Sequence, residues 1–314
     1  MDTNTWLLDS DPSIRWQVLR DLAGASDETV AAERDRVATE GWGAHLLDLQ
    51  GPDGNWDSGV YRPGWAQEDR PFFDAWTATH FVLQQLIAFG VDPKHPRALE
   101  AVSHVRDHVR WDHGGEPYFD GEVEPCINGM VLVAAAYFGQ DGSRVASTLA
   151  GDRLDDGAWN CWAAYGARVS SFHSTICAVE GLAAWQAAGA ADAAAAEALR
   201  SGEEYLLARG LFRRLSTGGI ADLRMTMLSN PVRWFHDILR GLEHFRSVDR
   251  RDRRLQEAVE VLRAKADADG RWNLENRHEG PTWNDFGENE GMSSRWITLR
   301  ALRVLHWWDA ASPK

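Results

Sequence analysis

The sequence predicts an all-α protein, an α/α toroid in which five to six helix pairs form a double ring of inner and outer helices. Three observations lead there. A short motif, Asp-Gly-x-Trp, recurs as Asp53-Gly54-Asn55-Trp56, Asp156-Gly157-Ala158-Trp159 and Asp269-Gly270-Arg271-Trp272. Segments that are apolar nearly all round alternate with segments that are apolar along one face only, the mark of enclosed helices beside half-exposed ones. No stretch shows the strict alternation of a half-buried strand.

The motif glycines Gly54, Gly157 and Gly270 are separated by roughly two helix-pair repeats of about 40 to 55 residues each. Degenerate copies are therefore expected between them. Gly114-Gly115-Glu116-Pro117-Tyr118 and Ser216-Thr217-Gly218-Gly219-Ile220 supply these as turn-rich breaks, which makes five repeats. After each break an all-round apolar helix is predicted, over 72–89, 126–138, 172–188, 232–245 and 292–307. Gly90, Gly139 and Gly189 stand where the first three should end, because glycine takes the left-handed cap at little cost. One-faced outer helices are predicted over 96–110, 192–207 and 252–266. Ahead of the repeats, 6–24 (with Asp11-Pro12 at a helix start) and 27–40 read as two further helices. No linker or composition shift divides the chain, so 1–314 is expected to be one domain, with 1–40 completing the ring and 41–314 carrying the repeats.

Composition narrows the partners. A hydrophobic share of 44% beside 25% charged residues suits a globular protein with a sizeable core. Sixteen Trp against 5 Tyr is unusual, and large aromatics either fill thick helix layers or line ligand cavities. A net charge of -14 repels nucleic acid and anionic membrane surfaces, so a small-molecule partner is expected instead. No segment reads as a leader or as an integral membrane span, and Cys126, Cys161 and Cys177 form no paired framework, which suits a reducing cytoplasm. The sequence sets no oligomeric state.

Asp-Gly-x-Trp preceded by Leu-x-x-x-Gln resembles the repeat of terpenoid cyclases (squalene-hopene and plant-type) and of protein prenyltransferase β-subunits, from about residue 41 onwards. The resemblance implies a central cavity that holds an apolar or isoprenoid-like small molecule, with the active site at the N-terminal ends of the inner helices. Fold does not fix chemistry, and three chemistries are open. Acid-initiated cyclisation needs the Asp-x-Asp-Asp of class II cyclases, which this chain lacks: Asp152-Arg153-Leu154-Asp155-Asp156 has other spacing and runs into the Gly157 turn. Asp69-Arg70-Pro71-Phe72-Phe73-Asp74 likewise lacks the adjacent aspartate pair of a class I motif.

The second chemistry is a zinc site. The resemblance to prenyltransferases implies ligands Glu124 and Cys126, from Glu124-Pro125-Cys126, together with His173 on the next inner helix, within Phe172-His173-Ser174-Thr175-Ile176-Cys177. Carboxylate, thiolate and imidazole suit zinc and leave a fourth position open. The alternative reads Glu124 as a helix-start carboxylate, Cys126 as a small buried residue and His173 as a satisfied core histidine.

The third is metal-free acid–base catalysis by Asp74, Glu124, His173, His236, Asp285, Glu288 and Glu290, all at or near predicted inner-helix starts. The segment Trp283-Asn284-Asp285-Phe286-Gly287-Glu288-Asn289-Glu290 is the densest, and it reads equally as a helix-capping loop. Arg233 and Arg295 are candidates to fork onto a substrate carboxylate or phosphate. Trp76, Phe172, Trp234, Trp283 and Trp296 are the aromatics placed to line the cavity. Isomerisation, cyclisation and elimination all remain as reactions; a carbohydrate-active toroid (glycosidase, epimerase or lyase) and a non-catalytic binding protein are the alternatives.

Overall fold

The computed structural model describes residues 2–66 and 76–310, and within them the protein is all-helical. The only extended pairings among the described residues are isolated bridges, some closing turns, such as Arg110 with Pro117 and Arg213 with Ile220, and others joining distant loops, such as Ser229 with Asn276. No helix among the described residues is long and apolar enough to cross a membrane.

The chain opens with α1 (Thr3–Leu8), α2 (Pro12–Asp21) and α3 (Asp27–Asp35), then alternates. One alternating set is α4 (Gly41–Asp48), α6 (Pro96–His108), α8 (Ser143–Gly151), α10 (Ala193–Ala208) and α12 (Gln256–Ala264). The enclosed set is α5 (Thr79–Phe89), α7 (Pro125–Phe138), α9 (Phe172–Ala187), α11 (Ile238–Ser247) and α13 (Arg295–Ala310). Contacts run from α2 to α5, α5 to α7, α7 to α9, α11 to α13 and α13 back to α2. Between α9 and α11, Arg240 pairs with Glu180 at 2.6 Å, and the backbone N–H of His236 donates to His173 Nδ1 at 2.8 Å.

The repeated tryptophan holds each outer helix to the inner helix that follows. Trp56, Trp159 and Trp272 are 0 to 2% exposed. Each indole N–H donates to a carbonyl on the preceding outer helix: Leu46 at 2.7 Å, Leu149 at 2.8 Å and Leu262 at 2.7 Å. Each backbone N–H donates to a threonine on the next inner helix: Thr79 at 3.0 Å, Thr175 at 3.4 Å and Thr298 at 3.0 Å. The preceding glycine turns at a left-handed φ of 81°, 89° and 72° respectively, which a side chain would strain. Thus one short motif sets a turn, a buried anchor and two hydrogen bonds.

Helices α7 and α9 pack closest. A Cβ added at Gly129 would lie 2.1 Å from the Cys177 carbonyl oxygen, and one at Gly181 would lie 2.4 Å from the Gly129 carbonyl oxygen. Two glycines facing each other bring the backbones of these inner helices together.

Predicted boundaries agree closely for α7, α9, α6 and α10 and differ elsewhere for local reasons. The helix expected over 232–245 begins at Ile238, because Arg233 has φ 55° and Asp237 caps the start by accepting from Arg240 N at 2.8 Å. The helix expected from 292 begins at Arg295, after Ser294, whose hydroxyl accepts from Ile297 N at 3.1 Å. The segments 6–24 and 27–40 each break in two, the second ending in a 3-10 turn over Arg36–Ala38. Residues 72–75 of the first predicted inner helix, Asp74 among them, lie outside the described residues; α5 is helical from Thr79.

Candidate functional site

The enclosed helices surround a cavity of about 270 Å³. Its apolar lining is Phe81 and Phe89 of α5, Met130 of α7, Trp296 of α13, and Val232 and Phe286 from the loops before α11 and α13. Trp296 stacks on Phe89 with ring centroids 5.8 Å apart, and Phe286 meets Phe89 edge-on at 6.1 Å. Asn230, Pro231, Arg233 and Phe286 also line a smaller pocket of about 20 Å³ beside the loop 282–288, so they form the partition between the two spaces.

Four arginines and two glutamates line the cavity, in a chain of net charge -14. Three of the arginines are matched. Arg240 forks onto Glu180 at 2.9 and 2.6 Å. Arg300 and Arg303 both reach Glu243 Oε2 at 3.0 Å, and Arg303 also reaches Asp21 at 3.3 Å. Burial disfavours the Glu243 carboxylate, yet Arg303, Arg300 and Arg246 outweigh that and bring its pKa down to about 2. Glu180 and Glu243 are thus held by arginines, with Glu243 ionised at neutral pH. Sequence reasoning missed these pairs. A lone charge inside an all-round apolar helix, such as Glu180 in α9, was the available signal.

His173 and His236 stand at the starts of α9 and α11 as expected, but they face a separate pocket of about 250 Å³ with Asp222, Arg224, Trp234 and His278. His236 Nε2 lies 2.7 Å from the Leu211 carbonyl, which can only accept, so Nε2 carries the proton. Burial takes His236 to a pKa of about 3. Burial, then Arg240 and Arg224, takes His173 to about 4; burial, then Arg233, does the same for His278. All three are neutral imidazoles at physiological pH.

The acidic loop spends its carboxylates on backbone N–H groups. Glu288 accepts from Arg295 N at 2.7 Å and from the Ser294 hydroxyl at 2.6 Å. Glu290 accepts from Arg277 N at 2.6 Å, and Asp285 from Gly287 N at 2.9 Å. These are capping and turn contacts, and Glu290 and Asp285 are exposed.

Of the predicted aromatics, Trp296 lines the cavity and Trp234 the histidine pocket. Trp76 is buried, with its indole donating to the Glu279 carbonyl at 2.6 Å. Trp283 donates to the Thr77 carbonyl at 2.8 Å, and Phe172 stacks on His236 at 5.4 Å, so both serve packing. Arg295 turns away from the cavity to lie over the Trp6 ring at 4.8 Å. Arg233 alone of the two predicted arginines reaches the cavity.

The expected metal ligands divide. Glu124 and Cys126 converge with Cys161, their ligand atoms all within 4.8 Å of one another, while His173 is engaged elsewhere by His236 N. Cys126 Sγ lies 3.6 Å from Glu124 Oε2 and 2.8 Å from Cys161 Sγ. Cys161 Sγ accepts from Cys126 N at 3.4 Å and from the Ser174 hydroxyl at 3.2 Å. Cys161 follows the Trp159 turn by two residues, and that turn delivers it to the start of α7. Its proximity to a motif turn was the missed signal. The crowding of acids is visible in their ionisation. The Cys161 hydrogen bond and burial push the Cys126 thiol well up, and burial raises Glu124. Two sulfurs and a carboxylate fit a soft divalent cation.

No protein-family model matches the chain, and no curated protein does. Among solved structures, the chain is similar to a crystallised protein from Actinoplanes, with a TM-score of 0.47 and 16% identity over 96% of this chain and 90% of that one. Likeness of that degree carries no functional argument, so the functional reading rests on the side chains.

Proposed function

We propose that the chain is an enzyme with an α/α toroid fold that acts on an apolar or isoprenoid-like small molecule in its central cavity. The observation that carries this is the aromatic and aliphatic wall of Phe81, Phe89, Met130, Phe286 and Trp296 around the cavity. A cavity with aromatic and aliphatic walls on which polar groups converge is a usual form of a small-molecule site. The lining favours an isoprenoid-like body over a glycan, which calls for a longer open groove. Isomerisation, cyclisation and elimination are the reactions in keeping with it, by acid–base or metal-assisted chemistry.

The cofactor reading is zinc held by Glu124, Cys126 and Cys161. When bound, zinc supplies a Lewis acid or an activated water at its open position. The chain's part is to present two thiolates and one carboxylate at the start of α7, where the helix dipole favours negative charge. Elemental analysis of purified protein is expected to give one zinc per chain. Cobalt substitution should then add a thiolate-to-metal absorption band. Cys161→Ser should lose most of the metal and His173→Ala should keep it. Retention of full metal by Cys161→Ser would remove the assignment.

A second reading, a binding protein without turnover, is favoured by the capping roles of Asp285, Glu288 and Glu290, which leave those acids engaged. Calorimetry and product analysis with prenyl alcohols and prenyl diphosphates separate the two. Binding with product formation supports the enzyme, and binding without product supports the second reading. Ala88→Phe, which fills the cavity wall, should abolish binding in either case. Absence of binding to the unmodified protein would sink both.

A further inference from the structure

The cavity charges leave one arginine over. Arg240 is matched by Glu180, and Arg300 and Arg303 by Glu243, but Arg233 has no hydrogen-bonded or ion-paired side-chain partner among the described residues. It is only 8% exposed, and its Nε is buried with nothing to donate to. Burying a guanidinium without a counter-charge is costly, and native proteins keep such groups where a ligand completes them. Carboxylates do line the small pocket behind it, but Glu288 accepts from Arg295 N and the Ser294 hydroxyl, and Asp285 Oδ1 from Gly287 N, with no ion pair to Arg233.

The backbone is arranged to hold this side chain. Arg233 has φ 55°, a left-handed conformation that strains a non-glycine residue. Its carbonyl is fixed by Arg240 Nη1 at 3.1 Å, and its guanidinium lies over the Trp76 ring at 5.1 Å. Strain, a fixed carbonyl and an aromatic shelf together place a cation on the cavity wall. Burial and the nearby Arg277 lower its pKa to about 9, so it remains charged at neutral pH. A second unspent donor is on the same wall: the indole N–H of Trp296, itself 5% exposed, has no hydrogen-bond partner among the described residues.

We propose that the cavity is an anion-headed site, in which the acidic group of an amphipathic ligand pairs with Arg233 while its apolar body lies along Phe89, Phe286 and Trp296. A planar guanidinium can fork to two oxygens of a carboxylate or of a phosphate, and this shared chemistry defines the ligand class. The inference rests on the cavity being the small-molecule site. It adds that the head of that molecule is negatively charged, against the sign of the protein as a whole.

The test uses three probes with one eight-carbon chain: octanoic acid, octyl phosphate and 1-octanol, titrated into the full chain by calorimetry at pH 7.5. The acid or the phosphate is expected to bind at least about tenfold more tightly than the alcohol, the value of one charge-assisted hydrogen bond. Whichever of the two binds more tightly identifies the head group. Arg233→Gln should remove that preference and leave octanol binding unchanged; Arg233→Lys, which keeps the charge but not the fork, should retain part of it. Equal binding of all three probes, or an anion preference that survives Arg233→Gln, would overturn the anion site and leave the cavity reading standing. Binding of none of them would overturn both.

Discussion

Trp159→Ala is expected to lower folding stability by about 3 to 5 kcal/mol from the lost indole volume alone. The side chain is fully buried, and its N–H is the partner of the Leu149 carbonyl. Leaving that carbonyl unpaired adds about 1 to 3 kcal/mol wherever water cannot reach it. Against a typical total of about 5 to 15 kcal/mol, the variant is near or past the point of unfolding. Trp159→Phe keeps most of the ring volume and loses the hydrogen bond, so it should fall between. Trp162→Ala, at a position 66% exposed and three residues away, should change stability by no more than about 0.5 kcal/mol. Urea denaturation with an unchanged m-value is the measurement. A loss below about 1 kcal/mol for Trp159→Ala would refute the anchoring role. Trp56 and Trp272 have the same geometry and carry the same expectation.

That anchor explains why so much of the fold was legible. Asp-Gly-x-Trp is both a sequence signal and a structural joint, since the glycine conformation, indole donor and threonine acceptor are all local to a turn and its two helices. Helices α7 and α9 were readable because their apolar residues run all round. The start of α11 was not. Val232, Trp234 and Phe235 continue an apolar pattern that looks helical, and only the left-handed Arg233 and the capping Asp237 break it. A single backbone conformation at a non-glycine residue leaves no mark in periodicity.

The site was legible in part, and for related reasons. Position along the chain gave the residues at inner-helix starts, which identified Arg233, Trp296, Glu124 and Cys126. It could not give direction. Arg295 and Trp296 are adjacent, yet one lies over Trp6 on the outside and the other stacks on Phe89 inside, because neighbours on a helix point about 100° apart. His173 stands at the start of α9, the helix packed against α7, but is held by the His236 backbone. Cys161 lies in a turn between helices, and only the folded chain brings it to Cys126. The acidic loop left capping and chemistry equally open, since carboxylates that cap a helix and carboxylates that catalyse look alike in sequence.

Acid should unfold this protein early. His80, His173, His236 and His278 are kept neutral by burial, with pKa values of about 3, 4, 3 and 4 against 6.5 for a free imidazole. Above pH 6.5 neither the folded nor the unfolded chain protonates them, and they cost nothing. Below it the unfolded chain takes up protons that the folded chain refuses, so stability falls with pH until the folded-state values are reached. Each such histidine contributes a slope of up to about 1.4 kcal/mol per pH unit, and four together approach roughly 5 kcal/mol per unit. Glu243 works in a lower window. Its pKa of about 2 against 4.5 gives stability that is present above pH 4.5 and lost as pH falls towards 2. The interval from pH 6.5 to 5 therefore separates the histidines from Glu243. Urea midpoints at pH 7.5 and 5.5 are expected to differ by several kcal/mol in stability, and His80→Gln, which takes up no proton, should flatten the slope by about a quarter. His80 is the cleanest choice because its shift comes from burial alone, with its Nδ1 3.0 Å from the Tyr118 hydroxyl. Equal stability at the two pH values would mean that these imidazoles are hydrated or protonated in the folded chain, and the packing described around them would have to be revised.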